Sequence, residues 1–481
     1  MPSGSFDFVV AANRLPVDRV VAPDGTTTWR TSPGGLVTAM ESVMRHREGA
    51  WVGWAGSPEE TPEPFDNEGL HLHPVPLSGE EVRDYYEGFS NDTLWPIYHD
   101  VIVPPTFKRR WWATYRRVNQ RFAEAVAEVA AEGATVWIHD YQLQLAPALV
   151  RELRPDLRIG WFDHIPFPPV ELFAQLPWRK SILRGLLGAD FLGFQRRQDG
   201  ANFVRACREL LGATSKGEVV TWQGADDDEP GAAPRTVRAA AVPISIDVQG
   251  LEELARKPEV RERAREIRHS LGDPETLLLG VDRLDYTKGI RHRLRAIAEL
   301  YEDGEIRPPE VTFAQVATPS RERVAAYRDL RAQIEGTVGR INGEFSLIGD
   351  TAVHYLHQSY PREEMAAFFQ AADVMLVTPI RDGMNLVAKE YLTCRYDLGG
   401  ALVLSEFTGA AQELRQAYLC NPHDIVGLKQ TILRAMRDDP AAKRRRMRTL
   451  RRRVAAHDVQ TWAEQYLEAL GHAPDRPPRR S

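Results

Sequence analysis

The stretch Val374-Met375-Leu376-Val377-Thr378-Pro379-Ile380-Arg381-Asp382-Gly383-Met384-Asn385-Leu386-Val387-Ala388-Lys389-Glu390 decides the fold. Val374–Thr378 is a short apolar run that reads as a buried strand. It ends in a loop holding Pro and Gly, and that loop opens a helix. The backbone amides of Asn385, Leu386 and Val387 then sit at a helix N-terminus, which suits an anion. Asp382 lies in the loop, free to accept hydroxyls. Glu390 lies one to two turns inside the helix, within reach of a ribose. The other reading makes Glu390 part of a solvated face with Lys389 and Arg395.

Working outward, the same strand–loop–helix unit recurs. Apolar runs stand at Phe6–Ala11, Thr135–Ile138, Leu157–Trp161 and Phe191–Phe194. A second series stands at Leu277–Val281, Val311–Val316, Val374–Thr378 and Leu402–Leu404. Continuously apolar strands alternating with amphipathic helices imply parallel sheets covered on both faces. The fold class is therefore α/β, with two Rossmann-like doubly wound domains facing across a cleft. Residues 215–236 are polar and rich in Gly, Pro and acidic residues, so they read as a loop. Leu251–Leu271 reads as one charged helix. We place the hinge near 243–248. The domains run 1–243 and 244–457. A helix at 458–473 crosses back to the first domain, and 474–481 forms a disordered tail.

Composition excludes several classes. At roughly 150 residues per domain, 481 residues suit two or three domains. Lys and Arg number 61 against 67 Asp and Glu, a formal charge of −6. That balance argues against nucleic acid as a partner. No run of 18 apolar residues signals a membrane span, and the N-terminus lacks a signal-peptide pattern. Three scattered cysteines form neither a disulfide framework nor a zinc ribbon, so a reducing cytoplasm is expected.

Further segments carry chemistry. Gly34-Gly35-Leu36 precedes a helical run, as an anion-binding turn or a plain tight turn would. Asp282-Arg283-Leu284-Asp285-Tyr286-Thr287-Lys288-Gly289 follows a strand. Its two cations suit a diphosphate leaving group; they equally suit surface salt bridges with Asp282 and Asp285. His139-Asp140-Tyr141 and Asp163-His164-Ile165-Pro166 both follow strands, where polar groups line clefts. Tyr85–Pro96 concentrates aromatics that pack a core or face a sugar. Trp111 and Trp112 read as packing. His71, His73 and His99 form no metal-binding spacing, so no metal and no cofactor is expected.

Together these segments resemble the trehalose-6-phosphate synthases, retaining glycosyltransferases of the two-domain GT-B type. The matching residues are Asn13-Arg14, Gly34–Leu36, Trp51–Trp54, Phe89–Pro96, His139–Tyr141, His164–Pro168, Arg283–Gly289, Thr318–Arg321, Gly339–Gly343, Arg381–Tyr391 and Leu404–Gly409. The resemblance spans about residues 6–466, in the style of an actinobacterial member. It implies a nucleoside-diphosphate glucose donor and glucose 6-phosphate as acceptor. Arg14, Trp54, Tyr86, Trp95, Asp140 and Arg321 would then hold the acceptor. Gly35, His164, Arg283, Lys288, Asp382, Gly383, Met384, Asn385, Leu386, Val387 and Glu390 would hold the donor. The reacting centre would comprise Asp140, His164, Arg283, Lys288 and Asp382. Asp163 departs from the apolar residue that family members carry before this histidine.

The resemblance further implies a front-face displacement without a protein nucleophile or divalent metal, with domain closure excluding water. It implies a homo-oligomer, dimer or tetramer. Two alternatives share the scaffold: a pseudo-glycosyltransferase of the validoxylamine-phosphate type, and a non-catalytic sugar-phosphate-binding regulator. The nucleobase stays open between uracil and guanine. Loops around Val316–Ser320 and Arg340–Ile348 would read it. The chain has no room for the phosphatase domain fused to some eukaryotic relatives.

Overall fold

The computed structural model describes residues 6–21, 27–31, 49–59, 62–224 and 234–472, with Val37 and Met40. Gly35 and the tail 474–481 lie outside the described residues. The chain divides into two compact units, Met1–Ile244 with Gln460–Ser481, and Ser245–Val459.

The strands of the first unit, in chain order, are β1 (Phe6–Arg14), β2 (Val17–Val21), β3 (Thr27–Thr31), β4 (Gly49–Trp54), β5 (Phe65–Asn67), β6 (Leu70–Pro74), β7 (Ala130–His139), β8 (Arg158–Phe162), β9 (Phe191–Phe194), β10 (Thr214–Lys216), β11 (Val219–Trp222) and β12 (Arg235–Ala241). One sheet takes the order β10-β11-β12-β9-β8-β7-β1-β4-β6-β5. Only β5 and the β10–β11–β12 edge pair antiparallel. The central strands are buried throughout, as in Phe8–Ala12 and Trp137–His139. That is why they read as unbroken apolar runs. The β2–β3 hairpin stands apart from this sheet.

The second unit has β13 (Thr276–Arg283), β14 (Val311–Thr318), β15 (Val353–Leu356), β16 (Val374–Val377), β17 (Ala401–Ser405) and β18 (Tyr418–Cys420). Its sheet order is β15-β14-β13-β16-β17-β18, all parallel. Leu278, Phe313, Leu376 and Val403 from the sheet pack with Leu294, Ile297 and Ile334 from covering helices. Number, in chain order, the strands of each unit that have parallel partners. The second then runs 3-2-1-4-5-6 and the first 3-2-1-4-5-6-7, the same doubly wound order with β12 added at its edge, and each has one reversal beside the first strand.

The last helix, Val459–Gly471, packs in the first unit. Trp462, Tyr466 and Leu470, spaced by four, are all buried. Each such side chain contributes roughly 1.5–3 kcal/mol on burial. The Trp462 indole donates to the Val242 carbonyl at 3.1 Å. Glycines in β8 and β9 make the room. A Cβ on Gly160 would lie 2.4 Å from the Tyr466 hydroxyl, and one on Gly193 would lie 2.7 Å from its ring.

Three expectations need correction. The segment 215–236 is not all loop, because β10 and β11 pair as a hairpin at its start. Leu251–Leu271 is two helices, Val248–Arg256 and Pro258–Ser270. Pro258 lacks the N–H that a continuous helix needs there, but it suits a first helical position. Arg340–Phe345 is the end of the helix Ala325–Phe345, and Val316–Thr318 closes β14, so neither is loop. Among the described residues, no helix is long and apolar enough to cross a membrane.

Candidate active site

In the second unit, the reversal lies between β13 and β16. Ligands of open α/β sheets bind at the carboxyl ends of strands at such a point. Both of these ends carry predicted site residues. The Ile380 amide donates to the Thr287 carbonyl at 2.7 Å and ties the two loops together. Gly289 is needed here. Its φ is +67°, and a Cβ would lie 2.0 Å from the Thr378 carbonyl oxygen.

Buried charge shapes this end of the sheet. Asp282 is not in a surface salt bridge: it meets Arg293 at 2.6 Å, with both side chains buried. Arg293 also donates to Gln315 Oε1 at 2.6 Å and Thr378 Oγ1 at 3.0 Å. One guanidinium thereby joins β13, β14 and the end of β16. Gly280 leaves space for it, since a Cβ there would lie 2.3 Å from Arg293 Nη1. Asp285 is likewise buried. It accepts from Arg321 at 3.0 Å and from the Tyr327 hydroxyl at 2.9 Å. Burial alone would raise the Asp285 pKa. Arg321, Arg283 and Lys288 outweigh burial and hold it at about 2. Arg283 itself is exposed beside this array.

Lys288 and Asp382 meet at 2.6 Å, both largely buried. Asn385 Nδ2 donates to the same Asp382 oxygen at 3.1 Å. Asn385 adopts φ +75° and caps the helix Leu386–Cys394, its Oδ1 accepting from the Ala388 amide at 3.3 Å. Leu386 and Val387 begin that helix, where amides lack intrahelical partners. The Met384 carbonyl accepts from Ala410 at 3.0 Å, and the Asp382 amide donates to Phe407 at 3.2 Å. A Cβ on Gly409 would lie 2.0 Å from the Gly383 carbonyl oxygen. Glu390 is half-buried, and burial raises its pKa against the pull of Arg362. Its neighbours are not a solvated face: Lys389 is buried on Glu413 at 3.0 Å, and Arg395 is buried on Asp397.

In the first unit, the reversal lies between β1 and β7. Asn13 at the end of β1 accepts from the Tyr85 hydroxyl at 3.0 Å. Arg14 is exposed, pairs with Asp18 at 3.0 Å, and lies 5.2 Å from the centre of the Trp54 ring. The Trp54 indole donates to the Ser57 carbonyl. Val82–Leu94 winds widely, with the Trp95 amide reaching back five residues to Ser90. Tyr86 is half-buried there, its carbonyl bound by Asn91. Trp95 is buried, stacked on His99 at 4.1 Å and 5.6 Å from Tyr141. Trp112 stacks on Trp178 at 5.2 Å.

Asp140 adopts φ +74° just after β7. Its Oδ1 accepts from the His164 amide at 3.3 Å, and its carbonyl accepts from the Trp161 indole at 3.2 Å. His164 and His139 share a hydrogen bond of 3.1 Å. Burial pushes the His164 imidazole down to about 3. Asp163 is buried; desolvation, then Asp140 and Asp199, raises its pKa well above the usual range. That surrounding favours the neutral carboxyl.

The structure thus joins Arg14 with Trp54, Asp140 with His164, and Lys288 with Asp382 and Asn385. It places Arg321 in the second unit, on Asp285 and Tyr327. The Arg293 and Arg321 arrays escaped sequence reading. One signal existed: Gly280 interrupts an apolar strand, which marks a close approach. Among the described residues, no group of three or more His, Cys, Asp and Glu side chains could hold a metal.

The family model for glycosyltransferase family 20 matches residues 6–472. The chain belongs to glycosyltransferase family 20. A trehalose-6-phosphate synthase of Mycobacterium sp. (strain KMS) is 60% identical over 469 residues, covering 97% of this chain and 96% of the relative. The synthase of Mycolicibacterium smegmatis is 58% identical, covering 97% and 93%. Among solved structures, a UDP-forming α,α-trehalose-phosphate synthase from Burkholderia xenovorans, in complex with glucose-6-phosphate, superposes with a TM-score of 0.86. It is 33% identical and covers 96% of this chain and 99% of its own. A further one, from E. coli and bound with UDP-2-fluoro glucose, gives 0.86 at 30% identity, covering 98% and 100%. This glycosyltransferase therefore has the GT-B architecture. Its two reversal points, one cationic and one aromatic, belong to a group-transfer enzyme.

Proposed function

We propose that this glycosyltransferase moves glucose from a nucleoside-diphosphate glucose to glucose 6-phosphate, giving α,α-trehalose 6-phosphate. The observation that carries this reading is the Lys288, Asp382 and Asn385 array at the reversal of the second sheet, with Arg283 at the end of β13, in a chain 60% identical to a synthase over 97% of its length. Of the similar solved structures, one is a synthase in complex with glucose-6-phosphate and one, from E. coli, is bound with UDP-2-fluoro glucose.

The residues have roles in that reaction. Arg283 and Lys288 bind the diphosphate, aided by the amides of Leu386 and Val387. Asp382 and His164 take donor-sugar hydroxyls, and Glu390 takes the ribose. Gly383, Met384 and Asn385 hold the loop in shape. Gly35 brings backbone to the donor. Arg14 and Arg321 serve the acceptor phosphate, and Trp54, Tyr86 and Trp95 wall its sugar. Asp140 faces the reacting centre.

Transfer then proceeds on one face of the donor sugar, without a metal. The bond from C1 to the departing phosphate oxygen breaks as C1 bonds the acceptor's anomeric oxygen. The acceptor's proton passes to the departing oxygen. Lys288, held at 2.6 Å by Asp382, is already placed for the charge that develops there. The three cysteines are all buried and unbridged, which fits a reducing cytoplasm. We carry a homo-oligomeric state as part of the proposal.

Nucleotide release from UDP-, GDP- and ADP-glucose, each with glucose 6-phosphate and no added metal, tests this reading. Acceptor-dependent release with one donor is expected, and it names the base. Silence with all three overturns it.

A further inference from the structure

The β7 end carries a residue to which the proposed reaction assigns no role. His139 is fully buried, its ring between Trp137 at 4.9 Å and His164 at 5.3 Å. Its Nδ1 lies 3.1 Å from His164 Nε2. Its Nε2 is buried and has no hydrogen-bond partner among the described residues. The aromatic wedge of the last helix closes the space behind, with Trp137 stacked on Tyr466 at 4.1 Å.

Two neutral imidazoles can share one hydrogen bond in two ways. In the first, His139 carries its proton on Nδ1 and donates to His164 Nε2. A bare lone pair then remains on His139 Nε2. In the second, His164 donates from Nε2, and His139 is left with a bare, buried Nε2–H. Protein interiors leave N–H groups unpaired less often than acceptors. The first arrangement is therefore the stable one. Because desolvation keeps both rings neutral, neither adds a second proton to blur the choice.

We infer that His139 is a positioning residue that fixes His164 as its Nδ1–H tautomer, so that His164 meets the donor sugar as a hydrogen-bond donor. An oxygen that His164 contacts must then act as an acceptor. The inference about the sugar rests on the proposal that His164 binds the donor; the inference about the tautomer does not.

Nitrogen-15 NMR of the histidine rings in the full-length, ligand-free enzyme reads the tautomers directly. His139 and His164 signals are assigned with His139→Asn and His164→Asn. A protonated Nδ1 on both rings is expected. A protonated Nε2 on His139 overturns the inference. Steady-state kinetics supply the second arm. His139→Phe removes the donated bond and should raise the donor KM about tenfold, the scale of one oriented hydrogen bond. The acceptor KM should hold. His139→Asn offers an amide N–H close to the lost Nδ1–H and should restore most of the donor KM. Equal donor KM in His139→Phe and the parent overturns the positioning role. If His164→Asn also leaves the donor KM unchanged, the fault lies with the donor-binding role of His164 instead. Folding of each variant is checked by thermal melting; if His139→Phe unfolds, His139→Asn against His139→Ala carries the same comparison.

Discussion

The two units share one strand order but equip its reversal point differently. At the β13–β16 reversal, charges are buried in pairs: Arg293 with Asp282, Arg321 with Asp285, Lys288 with Asp382. At the β1–β7 reversal, the groups are aromatic rings, an imidazole pair and a carboxyl whose burial favours its neutral form: Trp95, Tyr141, His139 with His164, and Asp163. The proposed reaction accounts for the difference, with the donor diphosphate at the second reversal and sugar at the first. A diphosphate brings concentrated negative charge, so cations must already be in place and themselves balanced before it arrives. A sugar brings C–H faces and hydroxyls, which aromatic rings and neutral hydrogen bonds meet without a desolvation penalty for ions. One topology thus supports two recognition chemistries, because the strand ends alone set the chemistry.

The largest expected effect tests the charged reversal. Arg283 is exposed, so Arg283→Ala should leave the fold intact. Turnover should fall by about three orders of magnitude, the scale of one lost charge-stabilising donor. A parent-like rate measured at saturating substrates would remove Arg283 from the diphosphate clamp. Next in size is Arg293→Met, which leaves Asp282 buried without its partner. Breaking such a pair costs about 3–5 kcal/mol. Urea unfolding should show that loss, confined to the second unit. A loss under about 1 kcal/mol would show that the buried pair is not what joins the three strands.

Much of this was legible in the sequence. The strand series was, because buried parallel strands are unbroken apolar runs and Gly or Pro marks their ends. The loops Arg283–Gly289 and Arg381–Glu390 were legible as motifs, and the structure brings them together through Thr287 and Ile380. Pairing was not. Lys288 and Asp382 lie 94 residues apart, and no local pattern says that one neutralises the other. Arg293 reads as an ordinary helix cation, since burial of a guanidinium depends on three strands meeting at one point. The β10–β11 hairpin was missed because its three- and four-residue strands are too short for an alternation to register. The break at Pro258 was visible in the sequence, but charged residues on both sides carried the helical pattern across it.

The smallest effect sharpens the comparison by pH. Asp285 titrates near 2 in the folded second unit, below its ordinary 3.8. A depressed carboxyl pKa stabilises above the unfolded value, and the gain is lost as pH falls through the folded one. The stability that Asp285 contributes should therefore hold to about pH 4 and fall by about 2 kcal/mol by pH 2. His164 in the first unit works over another window. Its folded pKa of about 3 lies below the ordinary 6.5, so below pH 6.5 the unfolded chain binds the proton that the folded one refuses. Stability falls by about 1.4 kcal/mol per pH unit from roughly pH 6.5 down towards 3. His139, lowered by the same desolvation, adds in the same direction. Asp163, raised by burial in the same cluster, works the other way and offsets one of the two imidazoles. Between pH 6.5 and 5, the groups around His164 should thus lose about 1.5 kcal/mol net while the Asp285 contribution does not change. Amide hydrogen exchange at pH 7, 6 and 5, corrected for the intrinsic rate, reads the units separately. Protection that falls first around β7 and β8 and holds around β13 and β16 is the expected result. The reverse order would mean that the neutral histidine pair is not a buried neutral site at all.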